Sequence, residues 1–263
     1  MSGEGIPESF WDRLRRSGRR ALLLDYDGTL APFQVDRDRA CPYPGVRQVL
    51  DAILSEGRCR LVVVSGRPAE DVVSLLGLSR APEVWGCHGW ERLLPEVGLQ
   101  RGDLPEPATR ALKQARAWAE ERGYGERCEV KPVTVAFHWR GLDAGVVAAL
   151  RAEVSGVWGP LAKRGGLELH PFDGGLELRC SGRDKGYAVR RVLAELGANA
   201  AVAYLGDDLT DEDAFVALRG RGLGVLVRDE PRSTAAEAHL APPGELLEFL
   251  ENWRDVCREN ELE

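Results

Sequence analysis

Two aspartates separated by one residue, Asp25 and Asp27, close an apolar run in Ala21-Leu22-Leu23-Leu24-Asp25-Tyr26-Asp27-Gly28-Thr29-Leu30. Asp and Gly at the end of such a run can do no more than build a turn. Three further stretches give the pair chemical company: Ser65-Gly66-Arg67-Pro68, Asp184-Lys185-Gly186, and Gly206-Asp207-Asp208-Leu209-Thr210-Asp211-Glu212-Asp213. Two carboxylates, a hydroxyl, an ammonium and a second acidic group suit phosphoryl transfer. One carboxylate, Asp25, attacks phosphorus in line to give an aspartyl-phosphate that water later hydrolyses. Asp27, two residues on, protonates the leaving oxygen and then takes a proton from the attacking water. Anions repel unless a cation lies between them, so Mg²⁺ is expected on oxygens of Asp25, the Asp27 backbone carbonyl and Asp207. Ser65 and Lys185 would meet the equatorial phosphoryl oxygens as neutral and charged donors.

Each of these residues also has a plainer reading. Ser65, ahead of a Pro-containing helix start, can serve as a cap. Asp213, three residues after Thr210, can complete a helix-capping box. Lys185 opens a helix whose positive dipole end disfavours a cation, which calls for an anionic partner that Asp184 could supply.

The elements that must position these groups follow from the hydrophobic pattern. Ala21–Leu24 and Leu61–Val64 are unalternating apolar runs, as in strands covered on both faces, and each stops at a reactive loop. Helical spacing covers Phe10–Leu14, Pro44–Ser55 and Ala69–Leu76, and Glu83–Gly89 reads as a short strand and turn. Strand alternating with helix implies a parallel sheet whose ligands sit at the strands' carboxyl ends. The rhythm lapses between Pro105 and Cys180, where helices over Pro107–Glu121 and Leu142–Val154 are interleaved with alternating strands. In Val133–Arg140, Val133, Val135, Phe137 and Trp139 point one way and Thr134, His138 and Arg140 the other. Leu167–His170 and Leu176–Arg179 repeat the pattern, which predicts an antiparallel sheet with one apolar and one polar face. The parallel rhythm returns with a helix over Lys185–Leu196, strands Ala201–Leu205 and Leu223–Val227, and a terminal helix through Leu246, Leu250 and Trp253.

The predicted fold is therefore α/β, a doubly wound parallel-sheet, Rossmann-like core over residues 1–104 and 181–263 with an inserted α+β domain over 105–180. A chain of 263 residues with 44% hydrophobic content can bury an ordinary core. Its 35 basic and 42 acidic residues, net −7, argue against nucleic acid or an anionic membrane as partner. Six dispersed cysteines without a Cys-x-x-Cys pair suggest neither zinc nor a disulfide framework. The polar, Arg-rich stretch Met1–Arg20 has no signal-length apolar core, and no later run approaches membrane-spanning length, so a cytoplasmic protein is expected.

With Asp25-Tyr26-Asp27-Gly28-Thr29, Ser65-Gly66-Arg67, Lys185 and Gly206-Asp207-Asp208 in this order, the chain resembles the haloacid dehalogenase-like phosphatases. Three stretches make it most similar to their trehalose-6-phosphate phosphatase branch: Gly206–Phe215, Glu177-Leu178-Arg179 upstream of Lys185-Gly186, and His88-Gly89-x-Glu91. The resemblance implies a doubly wound core with an inserted cap, Mg²⁺ dependence, and hydrolysis of trehalose 6-phosphate. It implies catalytic roles for Asp25, Asp27, Ser65 and Lys185, with Asp25, Asp27 and Asp207 at the metal and Asp208 and Asp211 near it. It places Arg67, His88, Glu91, Lys131, His138, Arg140, Glu177 and Arg179 at the substrate; a disaccharide's hydroxyls need acceptors such as Glu177 and donors such as Arg179. The implied partner is a small sugar phosphate, for a monomer functionally linked to a trehalose-phosphate synthase. Three alternatives stand beside this reading. A phosphatase for another sugar phosphate, such as glucosyl- or mannosyl-glycerate phosphate, would differ only in the inserted domain. A phospho-accepting receiver module is disfavoured by Asp27 and the insertion. A non-catalytic sugar-phosphate-binding regulator is disfavoured by the complete set of reactive groups.

Overall fold

The computed structural model describes residues 5–34, 36–172 and 174–259; the first four residues of the polar amino-terminal stretch lie outside them. The chain forms two compact units, one from the residues up to Arg101 and from Arg183 onward, the other from Gly102–Gly182.

The first unit is built on an eight-stranded sheet. In chain order its strands are β1 (Arg20–Leu24), β2 (Arg60–Val64), β3 (Glu83–Gly86), β4 (Glu91–Leu94), β5 (Gly98–Arg101), β10 (Ala201–Gly206), β11 (Leu223–Val227) and β12 (Ala238–Leu240). Their spatial order is β12-β11-β10-β1-β2-β3-β4-β5, parallel from β12 to β3 and antiparallel across β3-β4-β5. All five residues of β1 are buried, and the unalternating sequence is explained by what covers its two faces. Leu22 and Leu24 pack in a core with residues of α1 (Glu8–Arg16), α2 (Val46–Glu56), α3 (Ala69–Leu76) and α8 (Gly244–Arg258). Ala21 and Leu23 pack in a second core with residues of α6 (Lys185–Leu196) and α7 (Glu212–Leu218). Each fully buried leucine contributes on the order of 1.5–3 kcal/mol, so a one-residue slip of β1 would swap both sets and is strongly disfavoured.

From β1 the chain winds first to β2 and β3 on one side and later to β10, β11 and β12 on the other. The strand order thus reverses at β1, the kind of position at which open α/β sheets hold ligands. Ladder bonds run one step past the strands and fix the first residues of the loops there. Asp25 N–H donates to the Leu205 carbonyl at 2.9 Å and Ser65 N–H to the Trp85 carbonyl at 2.8 Å.

The second unit is a four-stranded antiparallel sheet in the order β6-β7-β9-β8, with β6 (Cys128–Val130), β7 (Thr134–His138), β8 (Leu167–Phe172) and β9 (Gly175–Cys180). Helices α4 (Glu106–Glu121) and α5 (Ala144–Gly165) pack on it. Phe137 of β7 meets Trp158 of α5 edge-on, centroids 6.2 Å apart, and both rings are fully buried. The register puts Thr134, Ala136 and His138 opposite Arg179, Glu177 and Gly175, and Glu177 opposite His170. This is the polar face that the alternation predicts.

The structure differs from the sequence-based expectation at three places. The edge hairpin β4–β5 and the short strand β12 extend the sheet where the sequence reading assigned no element. The strand expected over Val133–Arg140 is limited to β7, with Trp139 and Arg140 beyond its end. Helix α5 runs 22 residues instead of stopping at Val154, continuing through Gly156, Gly159 and Pro160. Poor local propensity is overridden there by burial of Trp158, Leu161 and Ala162 in its last turns.

Candidate active site

Four loops of the first unit bring reactive groups to the carboxyl end of β1. Lys185, the first residue of α6, sends its ammonium between two carboxylates, 2.7 Å from Asp25 Oδ1 and 2.8 Å from Asp211 Oδ1. The Thr29 hydroxyl lies 3.2 Å from Asp207 Oδ1 and 3.4 Å from Asp25 Oδ2. Carboxylate oxygens of Asp25, Asp207 and Asp211 lie within 4.8 Å of one another, and all three residues are buried. Gly28, at φ +86°, makes this approach feasible. A β-carbon there would stand 2.2 Å from Asp207 Oδ2, and the left-handed backbone is one that L side chains rarely adopt.

Burial is the leading influence on these groups' protonation. It pushes the Asp25 carboxyl well up against the pull of Lys185, with the Asp211 and Asp207 charges adding to the rise. Burial, with the Asp211 charge next, pushes Asp207 up to about 6. Burial would lower the Lys185 ammonium, but the Asp211 and Asp25 carboxylates outweigh it and hold it protonated far above its ordinary range. A buried ammonium with two carboxylates is the compensated arrangement that low dielectric demands.

The acidic motif divides in function. Both Asp211 oxygens are filled: one accepts from Lys185 and from the Tyr204 hydroxyl at 2.5 Å, the other from the backbone N–H groups of Asp207 and Asp208. Asp25 and Asp207 therefore keep the open oxygen donors, and Asp211 orients its neighbours. Asp208 is exposed and caps the short 3-10 turn Leu209–Asp211 in a capping box with Asp211. Among the described residues the carboxylate cluster is Asp25, Asp207 and Asp211, and the charge of Asp208 beside it adds to the rise at Asp207. The Asp27 side chain is also turned from the cluster. Its two oxygens accept a bidentate pair from Arg67, both at 2.6 Å, so Arg67, expected at the substrate, engages Asp27.

Ser65 is buried, and its hydroxyl accepts from Arg67 N–H at 3.1 Å. His88 lays its ring against Gly66, where a β-carbon would stand 2.7 Å from Cε1 and Nε2. Glu91, expected to bind substrate, is 1% exposed. One of its oxygens accepts the Ala69 N–H at the start of α3 and the other accepts from Arg101, so its structural work is anchoring a helix terminus.

In the second unit Lys131 lies 3.6 Å from Glu129 and 3.8 Å from Glu177. His138 Nε2 is 3.0 Å from Glu129 and its ring packs edge-on against Phe172. Glu177 and Arg179 are half-buried on β9 and Arg140 is exposed beyond β7. Donors and acceptors thus share one sheet face.

Sequence reasoning passed over Thr29, Tyr204, Arg228 and Arg232. Arg232 donates to the carbonyls of Asp208 at 2.7 Å and Asp207 at 3.5 Å, and Arg228 to that of Asp207 at 3.4 Å. Arg232 also pairs with Glu212. Tyr204 reads from sequence as one more strand residue, and the arginines lie in a loop with no motif of its own. Only the fold discloses them.

The reversal of strand order at β1, the carboxylates and ammonium at that point, and the inserted α+β unit define a haloacid dehalogenase-like α/β fold. A solved haloacid dehalogenase-like hydrolase from Bacteroides thetaiotaomicron shares this fold, with TM-score 0.64 and 17% identity over 89% of this chain and 98% of that one. The chain belongs to the trehalose-phosphatase family, whose model matches residues 23–242. It is similar to the trehalose-phosphate phosphatase of Mycobacterium marinum, 34% identical over 244 residues, which are 88% of this chain and 60% of that protein. It spans about three-fifths of the length of the curated relatives it matches. The solved trehalose-6-phosphate phosphatase of Aspergillus fumigatus is 25% identical, with TM-score 0.71 over 97% of this chain and 99% of that one. Among the described residues, no helix is long and apolar enough to cross a membrane.

Proposed function

We propose that this chain is a phosphoric monoester hydrolase acting on trehalose 6-phosphate, releasing trehalose and inorganic phosphate. The observation that carries the reading is the Lys185 ammonium held between Asp25 and Asp211 with Asp207 alongside. The names of its relatives supply the substrate.

Asp25 is the nucleophile. Its carboxylate oxygen attacks phosphorus in line, the bond from phosphorus to the sugar oxygen breaks, and the phosphoryl group passes to Asp25. Asp27 supplies the proton that the leaving oxygen takes up, then removes one from the water that cleaves the aspartyl-phosphate. Its bidentate contact with Arg67 must open for this to happen, and Asp27, 27% exposed at its side chain, is the partner free to turn. Lys185 and Ser65 stabilise charge on the equatorial oxygens from positions fixed before reaction. The donor set fits a hard divalent cation: carboxylate oxygens of Asp25 and Asp207, close together, buried, and under-neutralised by one ammonium. Mg²⁺ bound there would offset repulsion between nucleophile and phosphate and polarise the phosphoryl oxygens. Lys131, His138, Arg140, Glu177 and Arg179 supply donors and acceptors for sugar hydroxyls.

The test is phosphate release from trehalose 6-phosphate, glucose 6-phosphate and glucosylglycerate phosphate, with and without Mg²⁺. Mg²⁺-dependent preference for the trehalose ester is expected. Preference for a compact phosphoacid over every disaccharide phosphate would overturn the assignment.

A further inference from the structure

The chain leaves the first unit after Arg101 and re-enters it at Arg183, so each crossing is an Arg-Gly pair, Arg101-Gly102 going out and Gly182-Arg183 returning. Both arginines are fastened to one five-residue segment, Cys87–Glu91. Arg101 Nε donates to the buried Glu91 carboxylate at 2.8 Å, whose other oxygen holds the first N–H of α3 at 2.9 Å. The Arg183 guanidinium lies over the Trp90 ring at 4.5 Å and the Tyr187 ring at 5.0 Å, and donates to the Gly89 carbonyl at 3.2 Å. An arginine between two aromatic faces is held more firmly than a surface ion pair.

The same segment supports the candidate phosphate site. His88 N–H donates to the Ser65 carbonyl at 3.0 Å and Cys87 N–H to the Arg67 carbonyl at 2.8 Å. Cys87 and His88 adopt left-handed φ values of 49° and 54°, a conformation that non-glycine residues keep only where surrounding contacts impose it. Arg183 stands two residues before Lys185 and directly before Asp184, whose carboxylate caps α6 through the Tyr187 N–H.

We propose that Arg183 and the Arg101–Glu91 pair are positioning residues. They moor both crossings to Cys87–Glu91 and through that segment hold Ser65 and Lys185 in place. The proposal rests on the reading of Ser65 and Lys185 as phosphate ligands, and adds that the residues at the crossings hold them.

The experiment uses the full chain, with 4-nitrophenyl phosphate as a substrate that carries no sugar, and the exposed Arg110→Ala as control. Expected for Arg183→Ala is a fall in kcat of tenfold or more with KM within threefold of wild type. Arg183→Lys, which keeps a cation between the rings, should retain at least threefold more activity than Arg183→Ala. Hydrogen exchange decides independently of turnover: the Cys87 and His88 amides should exchange at least tenfold faster in Arg183→Ala, with β1 unchanged. If Arg183→Ala does not fold, Trp90→Leu, which removes one aromatic face, is read by the same criteria. A kcat within twofold of wild type together with unchanged exchange at Cys87 and His88 overturns the proposal. Absence of phosphatase activity in the wild type would instead strike the proposed function and leave the exchange result to judge the clamp.

Discussion

Replacing Gly28 by alanine separates backbone strain from displacement of a reactive group. The alanine pays for its left-handed φ of +86°, a strain of about 1–2 kcal/mol. Its β-carbon would also lie 2.2 Å from Asp207 Oδ2, so the carboxylate must retreat by about 1.2 Å to reach ordinary 3.4 Å contact. That retreat breaks the Thr29–Asp207 contact and draws Asp207 from Asp25. A misplacement of about 1 Å at a reacting centre costs on the order of 10²-fold in rate. Gly57 supplies the control, since it has φ +65° but nothing within 4 Å of a β-carbon, and Gly57→Ala pays the strain alone. Both variants should lose about 2–8 °C in Tm, while only Gly28→Ala loses about 10²-fold in kcat for phosphate release. The reasoning fails if Gly28→Ala keeps kcat within fivefold of wild type, or if Gly57→Ala loses as much activity.

Asp25→Asn should abolish multiple-turnover phosphate release from trehalose 6-phosphate, and retained turnover would rule out the covalent intermediate. Asp207→Asn removes a buried carboxylate whose ordinary value of 3.8 is raised to about 6. The folded metal-free protein binds that proton more readily than the unfolded chain, so ionised Asp207 opposes folding fully above pH 6 and progressively less toward pH 4. In chelator-treated samples Asp207→Asn should melt above wild type at pH 7 by a margin that narrows at pH 5, and added Mg²⁺ is expected to raise the Tm of wild type but not of Asp207→Asn; a margin that widens on acidification would contradict this. Glu83, 6% exposed, accepts from Arg60, Arg92 and the Trp85 indole, and Glu83→Ala should cost about 3 kcal/mol in denaturant unfolding, at the low end for a broken buried pair because Glu195 still accepts from both arginines. A loss below 1 kcal/mol would show that the network contributes little.

Much of this architecture is legible in the sequence because two-sided burial leaves a direct trace. Strands β1, β2, β10 and β11 read as unbroken apolar runs, and helices α3 and α6 begin and end where periodicity places them. Elements with little core to bury leave no such trace. Strands β4 and β5 carry Arg92, Gln100 and Arg101 on a sheet edge, and β12 has three residues; none shows a period long enough to read. The end of α5 is hidden for the opposite reason, since Gly156, Gly159 and Pro160 signal a break that burial of Trp158 overrides. At the site, motif spacing identifies Asp25, Lys185 and Asp207, but not which carboxylates are already satisfied. That Asp208 caps its own turn depends on one backbone geometry, and that Glu91 holds the start of α3 shows only once that helix is seen beside it.

The charge distribution explains why so many cations near the site leave its carboxylates alone. Among the described residues, Asp25, Asp207 and Asp211 are buried beside one ammonium, and the other donors to their oxygens are neutral: the Thr29 and Tyr204 hydroxyls and two backbone N–H groups. Arg228 and Arg232 reach the same loop yet spend their guanidinium groups on the carbonyls of Asp207 and Asp208 and on Glu212. Arg67 is committed to Asp27. An arginine forked onto Asp25 or Asp207 would stabilise the fold, by the bidentate geometry that makes such pairs strong, and would occupy the oxygens that the proposed chemistry at phosphorus uses. Directing the arginines to backbone carbonyls fixes the loop without neutralising its side chains. On the proposed reading, the residual negative charge, held in a buried place, is what would draw a divalent cation to the site, and its cost in stability would be relieved when that cation binds.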